Sequence, residues 1–173
     1  CVAGAAGVAR AADYVKAYPD QTALLLSVEL CSLTLQRGDL SIPNLISSGL
    51  FGDGAARAVV CGEQVARKEQ ISGPKILASR SVFYPDTDRV MGWDISGRGC
   101  EIVLWADVPR VVAEHLRGDV YSFLEAQGLT LYQVDSFVCH PGGPKVRLAF
   151  ETALERPRSA FQLTWDSLAQ VGN

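Results

Sequence analysis

Apolar and polar positions along the chain fall into blocks that predict an order of helices and strands. Residues 2–17 are rich in Ala and Gly and stop before Tyr18 and Pro19, which predicts a helix smooth enough for close burial. Apolar runs at 22–30 and 55–61 are typical of strands that are buried on both faces. The first third of the chain therefore predicts one helix followed by two core strands.

Turn signals surround the second strand. The loop before it contains three glycines that predict tight backbone: Gly49, Gly52 and Gly54. Residues 63–74 are polar and end in Gly-Pro, so they predict a linker. We place the division of the chain within this linker, between 1–72 and 73–173.

The second part again alternates strand and helix signals. Residues 75–84 and 136–139 predict strands, and Asp107 is placed to cap a helix that runs to about Gln127. Behind Pro144, apolar residues recur at helical spacing: Val146, Ala149, Phe150, Ala153 and Leu154. Strands separated by helices predict an α/β fold with a mostly parallel sheet.

The composition is that of an ordinary globular chain. Its 173 residues carry a formal net charge of −3, with 48% hydrophobic and 20% charged residues, which excludes disorder and collagen. Lys and Arg form no run, so we expect no nucleic-acid partner. We also expect a cytoplasmic protein with no membrane span, because neither a long apolar stretch nor a secretory signal is present.

The cysteines predict thiols in a reducing compartment. They are five in number, widely spaced and without a CxxC pair, so we expect no disulfide framework and no metal site. The chain opens on Cys1 without Met and stops at Asn173, so we expect it to be part of a longer protein.

Cys1, His140 and Asn173 are the residues best placed for chemistry. A thiol at a helix start is favoured as the thiolate by the helix dipole. His140 follows a predicted strand and precedes a Gly-Gly turn, where α/β sheets present side chains to ligands, although a carbonyl-bonded histidine fits equally. The order and spacing also suggest a papain-like protease, but Cys-Val-Ala-Gly differs from the Cys-Gly-Ser-Cys-Trp of that class.

Five separated segments resemble the active-site regions of type III polyketide synthases, the chalcone synthase-like enzymes, and most of all their bacterial members. The segments, in family order, are CVAGAAGVARAADYV, VELCSLTLQR, SGLFGDGAARAVV, VCHPGGPKV and SLAQVGN. The resemblance implies a thiolase-like layered αβαβα fold, with 1–72 ending its N-terminal half and 73–173 beginning its C-terminal half. It also implies a homodimer that uses acyl-CoA and malonyl-CoA, with no metal and no bound cofactor.

By this resemblance the three candidate residues form a Cys-His-Asn site. Cys1 carries the starter and the growing chain as a thioester, and His140 steadies its thiolate. His140 and Asn173 donate N–H groups to the enolate oxyanion that forms when malonyl-CoA loses carbon dioxide.

The resemblance also assigns substrate-binding residues. Phe51 matches a gatekeeper between the CoA tunnel and the cavity, with core packing as the alternative. Ile102 stands where plant members have a second gatekeeper phenylalanine, so an aromatic wall is missing. Cys31 stands where plant members commonly have Thr, and it either opens a fatty-acyl tunnel or fills the core. We therefore expect medium or long aliphatic starters and alkylpyrone or alkylresorcinol products.

Four further residues are implied at the same site. Thr34 matches a cavity-lining position. Gly142 and Gly143 let the CoA arm pass close to the backbone. Lys145 either faces CoA or is a solvated lysine at a helix start.

Two other functions stay open. A ketoacyl-ACP synthase III shares the fold and the Cys-His-Asn set, but it usually shows His-Gln-Ala-Asn where this chain has His-Pro-Gly-Gly from His140. A non-catalytic interaction or dimerisation fragment is the alternative from a different class.

Overall fold

A computed structural model describes residues 2–87, 89–97, 99–104, 107–140 and 142–172. Elements labelled η are 3₁₀ helices. In chain order the elements are α1 (Ala3–Ala17), β1 (Thr22–Glu29), η1 (Cys31–Thr34), α2 (Ile42–Leu50), β2 (Gly54–Cys61), α3 (Glu63–Lys68), β3 (Met91–Ser96), β4 (Gly99–Leu104), α4 (Val108–Glu125), η2 (Leu131–Gln133), α5 (Pro144–Leu154), η3 (Arg158–Phe161) and α6 (Gln162–Val171).

The first of two compact units comprises Cys1–Glu29 and Asp53–Arg80. Its sheet is one antiparallel pair of β1 and β2, in which Thr22 is opposite Cys61 and Glu29 is opposite Gly54. The mostly parallel sheet predicted from sequence is therefore wrong for the described strands. Alternation of strand and helix signals along the chain does not determine the direction in which two strands pair.

Helix α1 covers one face of this sheet. A Cβ atom on Gly7 would lie 2.6 Å from Leu25 Cδ1, so the helix backbone packs directly on β1. Side chains alternate across a strand, and Leu24, Leu26 and Val28 on the opposite face are more than half exposed. Within the described residues α1 packs on a single face of β1, so this chain does not show the predicted burial on both faces.

The second compact unit comprises Leu30–Gly52 and Ser81–Asn173. Its sheet is an antiparallel hairpin of β3 and β4, with Ser96 opposite Gly99 next to the turn. Helix α2 and η1 lie against β4. The sequence pattern predicted none of these four elements, since each is short and β3 and β4 carry no long apolar run.

The core of the second unit lies between α4, α5 and the start of α6. Phe161 is 1% exposed and stacks on Phe137, with ring centres 5.1 Å apart. Four further residues complete the buried cluster: Leu124, Leu131, Leu154 and Ala160. Helix α5 begins at Pro144 as predicted, and of its apolar residues Leu154 belongs to this core and Phe150 packs against it.

Several local predictions fail for physical reasons. Residues 75–84 and 136–139 are not strands, because no neighbouring strand in the described chain pairs with them. The predicted linker contains the short helix α3. Asp107 stands at the N-cap of α4 without a side-chain cap hydrogen bond, since its carboxylate pairs with Arg110 Nε at 3.0 Å.

Helix α4 also carries a small polar cluster. The ring of His115 stacks on Tyr84 at 4.5 Å, and the Tyr84 hydroxyl donates a hydrogen bond to Asp119. Burial and this hydrogen bond raise the pKa of Tyr84 to about 12. Within the described ranges, no helix is both long enough and apolar enough to cross a bilayer.

Candidate active site

Of the three candidate catalytic residues, His140 is described, and Cys1 and Asn173 lie outside the described residues. Asn173 is bonded to Gly172, which directly follows α6. The described part of the candidate site therefore consists of His140, the end of α6 and the elements that carry the predicted substrate-binding residues.

The segment that leads to His140 is held by η3 and α6 instead of by a strand. The Phe137 N–H donates to the carbonyl oxygen of Ala160 at 2.8 Å. The Cys139 N–H donates to Thr164 Oγ1 at 2.9 Å, and the same hydroxyl donates to the Phe137 carbonyl at 3.4 Å. These bonds satisfy backbone groups that a sheet would otherwise pair.

A tight glycine turn follows His140. The Gly142 N–H donates to the His140 carbonyl at 2.9 Å. A Cβ atom on Gly142 would touch His140 Cδ2 at 3.4 Å, so glycine leaves room beside the half-buried imidazole. Gly143 has φ +106°, a backbone conformation that residues other than glycine rarely adopt, and α5 begins immediately after it.

Arg147 secures this turn from α5. The side chain is 4% exposed, and its Nε donates to the Gly143 carbonyl at 3.4 Å. Its guanidinium carbon lies 3.5 Å from the ring centre of Trp165 on α6, and the Trp165 N–H donates to Glu151 at 2.7 Å. Burial, reinforced by the nearby Arg158 charge, lowers the pKa of Arg147. A cation–π contact thus joins the glycine turn to α6.

Cys139, next to His140 in sequence, is a poor nucleophile. Burial raises the pKa of its thiol to about 11. At neutral pH it is therefore a neutral thiol, and the thiolate is the reactive form.

Trp93 is a neighbour of both predicted gatekeeper positions, Phe51 and Ile102. Phe51 caps α2, and its ring centre lies 6.5 Å from that of Trp93 at an angle of 55°. Trp93 on β3 is directly opposite Ile102 on β4, so the two side chains share one face of the hairpin. The structure thus brings Phe51, Trp93 and Ile102 together. An indole, 43% exposed, stands beside the position where the sequence predicted a missing aromatic wall.

Cys31 and Thr34 lie on η1, beside β4. The Thr34 hydroxyl donates to the Cys31 carbonyl at 2.9 Å, and both side chains are half-buried. Gln36, just beyond η1, donates through Nε2 to the Cys100 carbonyl on β4 at 3.3 Å. The buried Asn44 of α2 donates to the Gln36 carbonyl at 2.9 Å. Two amide side chains therefore hold η1, α2 and the hairpin together.

Two backbone segments meet without side chains between them at the end of α2. A Cβ atom on Gly52 would lie 2.7 Å from the carbonyl oxygen of Val171, at the end of α6. A Cβ atom on Gly172 would lie 2.7 Å from the carbonyl oxygen of Leu50. Gly49 and Gly54, by contrast, have no atom within 4 Å of that position, so of the three glycines predicted to mark tight backbone only Gly52 does so.

The last predicted substrate-binding residue lies on α5. Lys145 is exposed at the second position of α5. In the part of the chain that the structure describes, no three His, Cys, Asp or Glu side chains are grouped to hold a metal ion.

Sequence reasoning missed four residues that support the site. Thr164, Arg147 and Asn44 act through partners more than one turn away, and a single residue of each type carries no pattern. Trp93 had a usable signal, because Gly97 follows it at the distance expected for a hairpin turn.

Comparisons with known proteins agree with one another. The family model for the C-terminal domain of chalcone and stilbene synthases matches residues 75–173. A 1,3,6,8-tetrahydroxynaphthalene synthase from Streptomyces peucetius subsp. caesius is 49% identical over 100% of this chain and 45% of its own length. The alpha-pyrone synthesis polyketide synthase-like Pks18 of Mycobacterium tuberculosis is 30% identical over 100% of this chain and 44% of its own.

A solved structure also matches the whole chain. The crystal structure of 1,3,6,8-tetrahydroxynaphthalene synthase from Streptomyces coelicolor A3(2), described as a bacterial type III polyketide synthase, has a TM-score of 0.87 and 32% identity. The match covers 100% of this chain and 48% of that one. The chain therefore spans somewhat less than half the length of the relatives that it matches.

Proposed function

Because this chain belongs to the chalcone and stilbene synthase family, we propose that it carries the catalytic centre of a type III polyketide synthase. Its fold is the thiolase-like α/β fold of those enzymes. The proposed reaction is the decarboxylative condensation of malonyl-CoA with an acyl-CoA starter.

Each proposed step uses a named residue. The Cys1 thiolate attacks the starter thioester, so a bond from sulfur to the acyl carbon forms and CoA leaves as its thiolate. Malonyl-CoA then loses carbon dioxide, and the resulting enolate is stabilised by N–H groups of His140 and Asn173. The enolate carbon attacks the Cys1 thioester. A carbon–carbon bond forms, the Cys1 thiolate is released, and the extended chain remains on CoA.

One observation carries the proposal: the segments next to His140 and Asn173 both reach Leu50. A Cβ atom on Gly143 would lie 3.3 Å from Leu50 Cδ1, and one on Gly172 would lie 2.7 Å from the Leu50 carbonyl. Leu50 immediately precedes Phe51, the proposed gatekeeper. The close approach of both segments to Leu50 supports a site at the end of α2.

We expect aliphatic acyl chains of medium or long size as starters, with alkylpyrone or alkylresorcinol products. Ile102 and Cys31 support this, because neither brings a bulky aromatic ring or a hydroxyl that would need a partner. The Thr34 hydroxyl is bonded to the Cys31 carbonyl. The relative Pks18, named for alpha-pyrone synthesis, gives the same direction.

Trp93 favours a second candidate product, a tetrahydroxynaphthalene. Its ring beside Phe51 and opposite Ile102 supplies the aromatic wall that Ile102 lacks, which narrows the space for a long chain. The 49% identical relative is named as a 1,3,6,8-tetrahydroxynaphthalene synthase. The two candidates differ in whether an acyl starter is incorporated in the product.

The deciding experiment offers malonyl-CoA, alone and together with saturated acyl-CoAs of increasing length, to the full-length protein that contains this chain, and measures product masses. Aliphatic selection predicts apparent affinity that rises about fourfold for each methylene, since each is worth about 0.8 kcal/mol, until the tunnel ends. A tetrahydroxynaphthalene from malonyl-CoA alone would instead support the second candidate. Products from malonyl-ACP but not malonyl-CoA would indicate a ketoacyl-ACP synthase, and no product at all would indicate an interaction fragment.

Two variants test whether Cys31 and Trp93 limit the length of the accepted starter. Cys31→Phe should shorten the longest accepted starter while short starters are used nearly as before. Trp93→Ala should lengthen it, because the indole beside Phe51 is removed. Equal loss of short and long starters in Cys31→Phe would mean that Cys31 is core packing.

Further properties of the family form part of the proposal. We expect a cytoplasmic homodimer that needs no metal and no bound redox cofactor. By the family resemblance, a CoA arm would pass Gly142 and Gly143, and the exposed Lys145 would face a CoA phosphate. Light scattering tests the dimer, and activity after chelation tests the independence from metal.

A further inference from the structure

Thr164 is a buried polar residue with an unassigned role between two catalytic candidates. It is the third residue of α6 and is 2% exposed. Its hydroxyl bonds to the segment that leads to His140, while α6 itself leads to Asn173. One side chain therefore touches the backbone before one candidate and stands on the helix before the other.

The hydroxyl uses both of its hydrogen-bonding capacities. Thr164 Oγ1 accepts the Cys139 N–H at 2.9 Å and donates to the Phe137 carbonyl at 3.4 Å. A serine can make the same two bonds, whereas an isosteric valine can make neither. The Cys139 amide is one residue from His140, so this contact acts close to the imidazole.

Within the described chain the segment pairs with no strand, and the Thr164 contacts are among its supports. Its other supports are the bond from the Phe137 N–H to the Ala160 carbonyl and the stack of Phe137 on Phe161. Both act at Phe137, three residues before His140. The Cys139 bond fixes the chain beyond Phe137 and before the glycine turn.

Resting on the proposed function, we propose that Thr164 is a positioning residue for His140. Its hydroxyl holds the backbone N–H of Cys139, one residue before His140, at a fixed place on α6, the helix that leads to Asn173. The distance between the two oxyanion donors is then set through one helix. A displacement of about 1 Å at a reacting group can lower a rate about 100-fold.

The test compares Thr164→Val with Thr164→Ser in the full-length protein that contains this chain. We expect Thr164→Val to lower kcat for malonyl-CoA decarboxylation about 10- to 100-fold with a small change in KM, because oxyanion stabilisation acts on the transition state. Thr164→Ser should restore most of kcat. Thr152→Val, an exposed threonine on α5, is the matched control and should behave as wild type.

A spectroscopic readout accompanies the kinetics. The chain has two histidines, and His115 lies in the cluster with Tyr84 on α4. In Thr164→Val the imidazole resonances of His140 should shift while those of His115 stay in place. If Thr164→Val does not fold, Thr164→Ala removes the same bonds without overpacking and carries the same expectation.

Three outcomes would overturn the proposal. Unchanged kcat with only a lower Tm would show that Thr164 supports the fold alone. Equal impairment of Thr164→Ser and Thr164→Val would show that the hydroxyl is not what matters. A wild-type protein that neither decarboxylates malonyl-CoA nor loads a starter would overturn the proposed function and this inference with it. The first two outcomes, with an active wild type, overturn this inference and leave the proposed function in place.

Discussion

Gly52→Ala adds one methyl group at the point where the ends of α2 and α6 meet. The new Cβ atom would lie 2.7 Å from the Val171 carbonyl oxygen, which is about 0.7 Å inside ordinary van der Waals contact. The obstructing atom belongs to a helix backbone and cannot rotate away. The end of α6, and with it the peptide that leads to Asn173, must therefore move.

This displacement sets the expected magnitudes. Overpacking of this kind destabilises proteins by about 1–3 kcal/mol. A shift of several tenths of an ångström next to an oxyanion donor should lower kcat for malonyl-CoA decarboxylation about 10-fold, and a full 1 Å shift would lower it about 100-fold. Loading of a starter on Cys1, measured by intact-protein mass spectrometry, should fall much less, because loading does not require the enolate donor Asn173.

Gly49→Ala is the matched control on the same helix. Its added methyl group has no atom within 4 Å, and Ala is about 1 kcal/mol better than Gly within a helix, so this variant should be as stable as wild type or more so. If Gly52→Ala decarboxylates at the wild-type rate, or if Gly49→Ala is impaired to the same extent, then the close approach of α2 and α6 does not position the site.

Two further predictions concern cysteine reactivity and the core. Iodoacetamide should modify Cys1 fastest, while Cys139 should react about 10-fold more slowly than an ordinary thiol at pH 8. A pKa of about 11 lowers the thiolate fraction of Cys139, and the greater nucleophilicity of a more basic thiolate offsets only part of that loss. Comparable labelling of Cys1 and Cys139, measured by peptide mass mapping, would contradict this prediction. Phe161→Ala should lower the free energy of unfolding in urea by about 3–5 kcal/mol. Phe83→Ala, at a phenylalanine that is 88% exposed, should change it by less than about 0.5 kcal/mol, and similar losses in both variants would refute the assignment of the core.

The sequence predicted those elements whose signal is local. Helices α1 and α5 have a composition or an apolar period that identifies them, together with Pro at a boundary. The positions of β1 and β2 were also predicted, but their direction and burial were not, since these depend on neighbours far along the chain. Residues 136–139 have the apolar character of a strand, and they are instead bonded to η3 and α6 because those elements supply the hydrogen-bond partners.

The candidate site shows the same division. His140 and Phe51 stand in motifs that resemble a known family, and the membership of this chain in that family is confirmed. The residues that hold those motifs in place were not predicted from the sequence. Thr164, for example, lies 24 residues beyond His140, and a lone threonine in a helix has no distinctive pattern. Cys1 and Asn173 lie outside the described residues, so their roles stay predictions.

The uncovered face of β1 affects how the chain behaves in dilute buffer. Leu24 is directly opposite Val59 of β2 and stands in a row with Leu26 and Val28, and all four side chains are more than half exposed. Burying one such side chain completely is worth about 1.5–3 kcal/mol, so any apolar surface that covers the row gains several kcal/mol. A preparation of these 173 residues alone would therefore be colloidally unstable, binding hydrophobic dyes and forming clusters that grow with protein concentration.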